Sequence, residues 1–247
     1  MAKFAVLLMA AGKSSRFHDK NYKKPFAPLA DRAVWLHSVD RFTQRGDVAQ
    51  TVVVINDEDR ETFHGRFGAN IAILGVDVAI GGPERADSVA KGLEKVRDDV
   101  EYVAIHDAAR PCLTDQLIDK VFAAATKSGA AILATPVTST IKQSTQDGSA
   151  VAETLDRSQL WLAQTPQVFR REVLFGAYAR RGNEPATDDA QLVERAGQSV
   201  TIVPGSPLNI KITTREDLRL AGAALKALPK PKLGGTGNPF ADNDMWR

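Results

Sequence analysis

Cysteine is all but missing from this chain of 247 residues. Cys112 stands alone, which excludes an intrachain disulfide and a thiolate zinc cage and suits a reducing compartment. Aromatic residues are scarce, at 6%, and nowhere form the aromatic–basic platform that stacks single-stranded nucleic acid. Charge of one sign is not in excess. The 32 Lys and Arg face 30 acidic residues for a net charge of +2, whereas a nucleic-acid binder gathers a basic surplus to meet phosphates. No apolar run approaches the roughly 20 residues that span a bilayer. Leu7-Leu8-Met9 is too brief for the core of a secretory signal. The expectation is a cytoplasmic protein with neither nucleic acid nor membrane as a partner.

What is present is a rhythm. Short runs rich in Val and Ile, at Phe4–Met9, Thr51–Ile55, Val76–Ile80, Tyr102–Ile105, Ala130–Thr135, Val200–Val203 and Asn209–Ile212, alternate with amphipathic segments. Those segments predict helices near 34–45, 57–66, 86–97, 114–128, 170–180, 187–196 and 214–228. Thr114 is placed to cap one of them, which ends before Gly129, and Gly197 lies just past another. Unbroken apolar strands alternating with helices predict an α/β layered fold with a mostly parallel sheet covered on both faces. Residues 137–157 break the rhythm: a polar, β-prone hairpin turning around Asp147-Gly148, either a protruding arm that pairs with another subunit or a plain surface hairpin. The last residues, 229–247, rich in Pro and Gly, read as a flexible tail in which Phe240 and Trp246 could dock or stay free. The expected organisation is a single domain over 1–228 followed by that tail.

Three constellations carry chemistry. After the first strand, Ala10-Ala11-Gly12 keeps side-chain bulk away from the backbone amides. Lys13, Arg16, Lys20, Lys23 and Lys24 then set five cations within twelve residues against one acid, Asp19. Strand end, small-residue loop and cation cluster together point to a polyphosphate site at the carboxyl edge of the sheet; a solvated basic loop is the alternative. A P-loop would need a glycine five positions before Gly12, where Leu7 stands, and a dinucleotide fingerprint fails at Ser14. The second constellation, Gly81 to Ser88, opens a helix with amides and a hydroxyl that suit a polar ligand edge, or is simply a tight turn with Asp87 or Ser88 in the first helical turn. The third is His106-Asp107-Ala108-Ala109-Arg110-Pro111. A carboxylate at a strand end can hold a metal on phosphates, directly or through water, so Asp107 reads as functional and Arg110 as a brace. Cys112 reads as a small packed residue.

Together with Lys24, these segments resemble the 2-C-methyl-D-erythritol 4-phosphate cytidylyltransferase family of the non-mevalonate route to isoprenoids. Further matches follow in order: Thr140-Ile141-Lys142, Asp156-Arg157, Gln164-Thr165-Pro166-Gln167, Thr187-Asp188 and Asn209 to Thr213, so that the resemblance spans roughly residues 3 to 225. It implies a three-layer Rossmann-like nucleotidyltransferase fold with a protruding β-arm. Transfer of CMP from CTP to a sugar-alcohol phosphate follows from it, with Mg²⁺ or another divalent cation and a homodimer formed through the 137–157 arm. By position it implies that Ala10, Ala11, Gly12, Gly82, Ser88 and Asp107 bind the nucleotide, and that Arg16, Lys24 and Lys211 supply catalytic charge. Thr140 and Arg157 would reach the acceptor in the opposite subunit, with Thr165 and Thr187 beside it. Ser14 stands where the family usually has a glycine and Pro25 where it usually has Gln; whether Lys23 or Lys24 meets phosphate stays open. The alternatives are a ribitol 5-phosphate cytidylyltransferase and a non-catalytic nucleotide-binding homologue.

Overall fold

The first strand, β1 (Phe4–Met9), is apolar on both faces, and both faces are covered. The computed structural model describes residues 2–14, 16–17, 22–182 and 184–229; Lys20 and the expected tail from 230 onward, with Phe240 and Trp246, lie outside them. After β1 come a short hairpin, β2 (Pro28–Leu29) and β3 (Arg32–Ala33), then helix α1 (Val34–Thr43) and β4 (Val48–Ile55). Helix α2 (Arg60–Leu74), β5 (Asp77–Ile80), α3 (Arg85–Leu93), β6 (Tyr102–Asp107), α4 (Asp115–Ser128) and β7 (Ala130–Pro136) continue the alternation. A hairpin, β8 (Ile141–Ser144) and β9 (Val151–Leu155), precedes β10 (Trp161–Arg170), α5 (Arg171–Ala179), α6 (Asp189–Arg195), β11 (Thr201–Pro204) and α7 (Arg215–Ala227).

Seven strands form one sheet in the order β11-β7-β10-β6-β1-β4-β5, parallel except for β10, which runs antiparallel to both β6 and β7. The period of two along β1 sends Ala5 and Leu7 to a core shared with α3, α5 and α6. Phe4, Val6 and Leu8 face the other side, where α4, α1 and α2 pack. These are the three layers the family resemblance implied. Truncating a fully buried leucine such as Leu7 or Leu8 to alanine would cost ~2–5 kcal/mol, so the sheet beneath the loops is a main source of stability. Gly92 lets α3 sit close on it: a Cβ there would lie 3.0 Å from Val54 and 3.1 Å from Leu7.

Several boundaries differ from the sequence reading. Helix α2 runs to Leu74, well past residue 66, and ends on Gly75 with φ 61°. The run at Asn209–Ile212 is not a strand: Arg110 Nη1 takes the Asn209 carbonyl, and the Ile212 amide donates to Ala109 O, so the segment is laced to a loop. Strand β10 was not anticipated, because its buried middle is polar. Thr114 does cap α4, accepting from Leu117 N, and Gly129 follows with φ 83°. Gly148 turns the arm hairpin with φ 72°. Among the described residues no helix is long and apolar enough to cross a membrane.

Candidate active site

The carboxyl ends of β1, β5 and β6 bring the three constellations to one edge of the sheet. Beyond β1, the Ala10 amide donates to Val54 O at 2.7 Å and so continues the sheet pairing. Of the three amides expected to face a nucleotide, that one is already used. The amides of Ala11, Gly12 and Lys13 meet no acceptor among the described residues, leaving a run of outward donors suited to an anion. Ser14 takes the left-handed conformation, φ 54°, that usually calls for glycine. Its hydroxyl donates toward Gly12 O at 3.3 Å and accepts the Lys24 amide at 3.1 Å, tying the first loop to the second cationic segment.

That segment separates the two adjacent lysines. Lys23 turns away to Asp59 at 2.8 Å and Glu58 at 3.3 Å. Burial opposes its charge, but these two carboxylates outweigh it and raise its pKa. Lys24 turns into the cleft. Its 3-10 turn, Lys24–Phe26, is anchored by Phe26, whose ring lies 5.5 Å from Phe63 and 5.9 Å from Phe67. Burial first, then the charges of Lys211 and exposed Arg16, lower the Lys24 pKa. Lys24 itself makes no ion pair among the described residues, so its charge is available to an anion.

At the end of β6, Asp107 Oδ2 lies 2.8 Å from Lys211 Nζ and 3.6 Å from Arg110 Nε. Burial alone would raise this carboxyl; Lys211, Arg85 and Arg110 outweigh it and hold Asp107 well below the usual carboxylate range. Arg110 is the brace the sequence suggested, donating to the carbonyls of Asn209 at 2.7 Å and Ala163 at 3.4 Å. Thr165 Oγ1 accepts the Asp107 amide at 3.0 Å, so its proton is free to go to His106 Nδ1 at 3.1 Å. His106 Nε2–H then donates to Arg110 O at 3.2 Å. Burial drives this imidazole down to about 4, keeping it neutral. His106 therefore fixes the loop rather than moving protons.

The loop after β5 is shaped by its own contacts. The Ser88 hydroxyl accepts the Gly82 amide at 3.1 Å, and its proton lies between the carbonyls of Glu84 at 3.0 Å and Gly82 at 3.2 Å. A Cβ on Gly82 would fall 2.5 Å from that of Asp87, so the chain passes here only as glycine. Glu84 and Asp87 form a reciprocal cap on α3.

Two clefts result. The first, about 270 Å³, is walled by Ala11, Gly12, Lys24, Gly82, Ser88 and Ala109 among others. The second, about 230 Å³, is lined by Thr165, Thr187, Gln167 and Asp188. Asp107, Lys211 and Arg85 border both. Thr187 is exposed, with its amide on Gln191 Oε1 at 2.8 Å. Thr140 and Arg157, by contrast, are exposed in the arm segment and border neither cleft of their own chain. Among the described residues no three His, Cys, Asp or Glu side chains gather as a metal cage. Asp107 Oδ1 carries no hydrogen bond from the described residues, and one such carboxylate beside phosphate oxygens is a donor set that suits hard Mg²⁺.

Sequence reasoning passed over Arg85, which sits inside a quoted motif without a role, and the pairs that support it. Arg85 Nη2 lies 2.6 Å from Asp189 Oδ2, across 104 residues of chain. Gln164, quoted above only as part of a motif, fastens β10 to the loop after β11 through Ser206 and Asn209. The signal available was negative: polar residues inside an otherwise apolar rhythm.

Known proteins resemble this chain over most of its length. The family model described as IspD, 2-C-methyl-D-erythritol 4-phosphate cytidylyltransferase, matches residues 4–227. A 2-C-methyl-D-erythritol 4-phosphate cytidylyltransferase from Rhodopirellula baltica is 43% identical over 235 residues, covering 91% of this chain and 95% of its own. One from Bacillus velezensis is 42% identical over 229 residues, covering 91% and 97%. The crystal structure of the Thermus thermophilus protein of the same description superposes with a TM-score of 0.74 at 31% identity, covering 90% of this chain and 98% of that one.

Proposed function

Since the chain belongs to the 2-C-methyl-D-erythritol 4-phosphate cytidylyltransferase family, we propose that it transfers CMP from CTP to 2-C-methyl-D-erythritol 4-phosphate, forming 4-diphosphocytidyl-2-C-methyl-D-erythritol and pyrophosphate. The observation that carries this reading is the meeting of two clefts at Asp107, Arg85 and Lys211. The first cleft has the free amides and cations for a nucleoside triphosphate; the second has hydroxyls and amides for a polyol phosphate.

An acceptor phosphate oxygen attacks the α-phosphorus of CTP, a bond forms there, and the bond to the β-phosphate oxygen breaks with loss of pyrophosphate. A phosphate monoester is already anionic near neutral pH, so no nucleophile–base pair is needed, and His106 is left out. The barrier lies in joining two polyanions, which calls for fixed positive charge and alignment. In this assignment Arg16 and Lys24 meet the triphosphate, and Lys211 stands where α-phosphate and acceptor meet. Amides of Ala11 and Gly12, with the Gly82–Ser88 loop, hold the nucleotide. Asp107 would hold a divalent cation, which would supply further charge neutralisation.

Thr165 and Thr187 serve the acceptor from the same chain; Thr140 and Arg157 serve it from the arm of a second copy. Support for that homodimer is that, among the described residues, β8 and β9 pair only with each other, while Val151 is 60% and Leu162 59% exposed on the arm and its root.

The deciding assay is pyrophosphate release from CTP and Mg²⁺ with methylerythritol 4-phosphate or ribitol 5-phosphate. Release with the first alone is expected. Release with the second alone would keep the mechanism and replace the acceptor; release with neither from folded protein would leave a nucleotide-binding homologue without catalysis.

A further inference from the structure

Arg85 opens α3 and reaches the border of both clefts, yet its anchorage is out of proportion to a structural brace. Its partner Asp189 is completely buried, and the two carboxylate oxygens are divided. Oδ2 takes Arg85 Nη2 at 2.6 Å and Oδ1 takes the Tyr178 hydroxyl, also at 2.6 Å, from α5. Helix α6 does not need Asp189 for capping, because Asp188 already accepts the Gln191 amide at 2.9 Å. A buried carboxylate costs several kcal/mol unless its oxygens are satisfied. Here that cost fixes one arginine. Of the five donors of Arg85, only Nη2 has a hydrogen bond among the described residues. The side chain stays 29% exposed, toward the clefts it lines. Arg110 nearby shows the contrast: it spends its donors on carbonyls and is 11% exposed. Asp189 and Asp107 together raise the Arg85 pKa against the effect of burial, so its charge is permanent.

We propose that Arg85 is a further catalytic cation, contacting the reacting phosphates where the two clefts join, and that Asp189 and Tyr178 are positioning residues that lock its guanidinium in place. The inference rests on the cytidylyltransfer reading and adds to it a charge that is immobilised before substrate arrives. Lys211, on a flexible stem and 42% exposed, has no such anchor beyond Asp107 among the described residues. An arginine fork can keep one edge on Asp189 while offering the other to phosphate, which a lysine cannot do.

The test measures kcat and the KM of each substrate for the full chain and its variants, with melting temperatures alongside. Arg85→Lys keeps a cation against Asp189 and is expected to fold, with kcat about 10-fold lower. Arg85→Ala combined with Asp189→Asn strands no buried charge; its kcat should fall ~100-fold or more, as for loss of a transition-state donor. Tyr178→Phe should lower kcat several-fold with little change in melting temperature. The decisive comparison is Tyr178→Phe in the Arg85→Ala, Asp189→Asn background, where it should have no further effect on kcat. Equal losses from Tyr178→Phe in both backgrounds would overturn the positioning role. Wild-type kcat in the folded Arg85→Ala, Asp189→Asn protein would overturn the catalytic one. A wild-type protein that releases no pyrophosphate would instead overturn the activity itself, and this proposal with it.

Discussion

Lys211 and Asp107 are paired at 2.8 Å, although one comes from the loop after β11 and the other from the end of β6. The pair occupies the junction of the clefts, so removing the lysine takes away positive charge at the reacting centre. Lys211→Ala is expected to lower kcat at least ~100-fold, about 2.7 kcal/mol of barrier, with Arg16→Ala similar. Steady-state pyrophosphate release measures both. Near-wild-type turnover from folded Lys211→Ala protein would take that residue out of the mechanism.

Lys24 has its pKa lowered by burial and then by Lys211 and Arg16. The sign is fixed by which form works: the protonated amine meets phosphate, and a lowered pKa makes it lose its proton at lower pH than an ordinary lysine. In the free enzyme, kcat/KM for CTP should therefore fall on the alkaline side below the usual lysine range near 10.4. Bound triphosphate restores the proton, so kcat should hold to higher pH. Lys24→Arg should move the alkaline fall of kcat/KM upward; an unmoved limb would assign it to another group.

The sheet and its first loop were legible because their signals are local. Phe4–Met9 is apolar throughout, and Thr114 with Gly129 marks both ends of α4. Strand β10 was not, since Gln164, Thr165 and Gln167 read as loop. They are buried because distant groups satisfy them, as when Gln167 Oε1 accepts the amides of Asp189 and Ala190, each at 3.1 Å. Asn209–Ile212 failed the other way, an apolar run whose backbone is claimed by Arg110 and Ala109. The choice between Lys23 and Lys24 likewise depends on Asp59, 36 positions away, which only the folded chain brings near.

Ser14 combines a left-handed backbone, φ 54°, with a hydroxyl that accepts the Lys24 amide at 3.1 Å. The first costs on the order of 1 kcal/mol for a non-glycine residue; the second contributes ~1 kcal/mol. Ser14→Ala keeps the strain and loses the bond, whereas Ser14→Gly loses both. The alanine variant should therefore be less stable than the glycine variant by about 1 kcal/mol in urea unfolding. The reverse order would mean that the loop relaxes away from this conformation.

Arg157 and Thr140 border neither cleft of their own chain, so their proposed role depends on a second copy. Arg157→Ala should raise the acceptor KM about 10-fold or more, the loss of one charged hydrogen bond to phosphate, with the CTP KM nearly unchanged. Mixing separates the two geometries. A dimer of one Lys211→Ala subunit and one Arg157→Ala subunit holds, if arms cross, one site with both lesions and one with neither. If each arm served its own body, both sites would carry one lesion. With crossed arms, subunit exchange between the Lys211→Ala homodimer, low in kcat, and the Arg157→Ala homodimer, high in acceptor KM, should raise turnover at low acceptor concentration, because each mixed dimer gains one wild-type site. No recovery after exchange verified by mass spectrometry would confine the arm to its own chain.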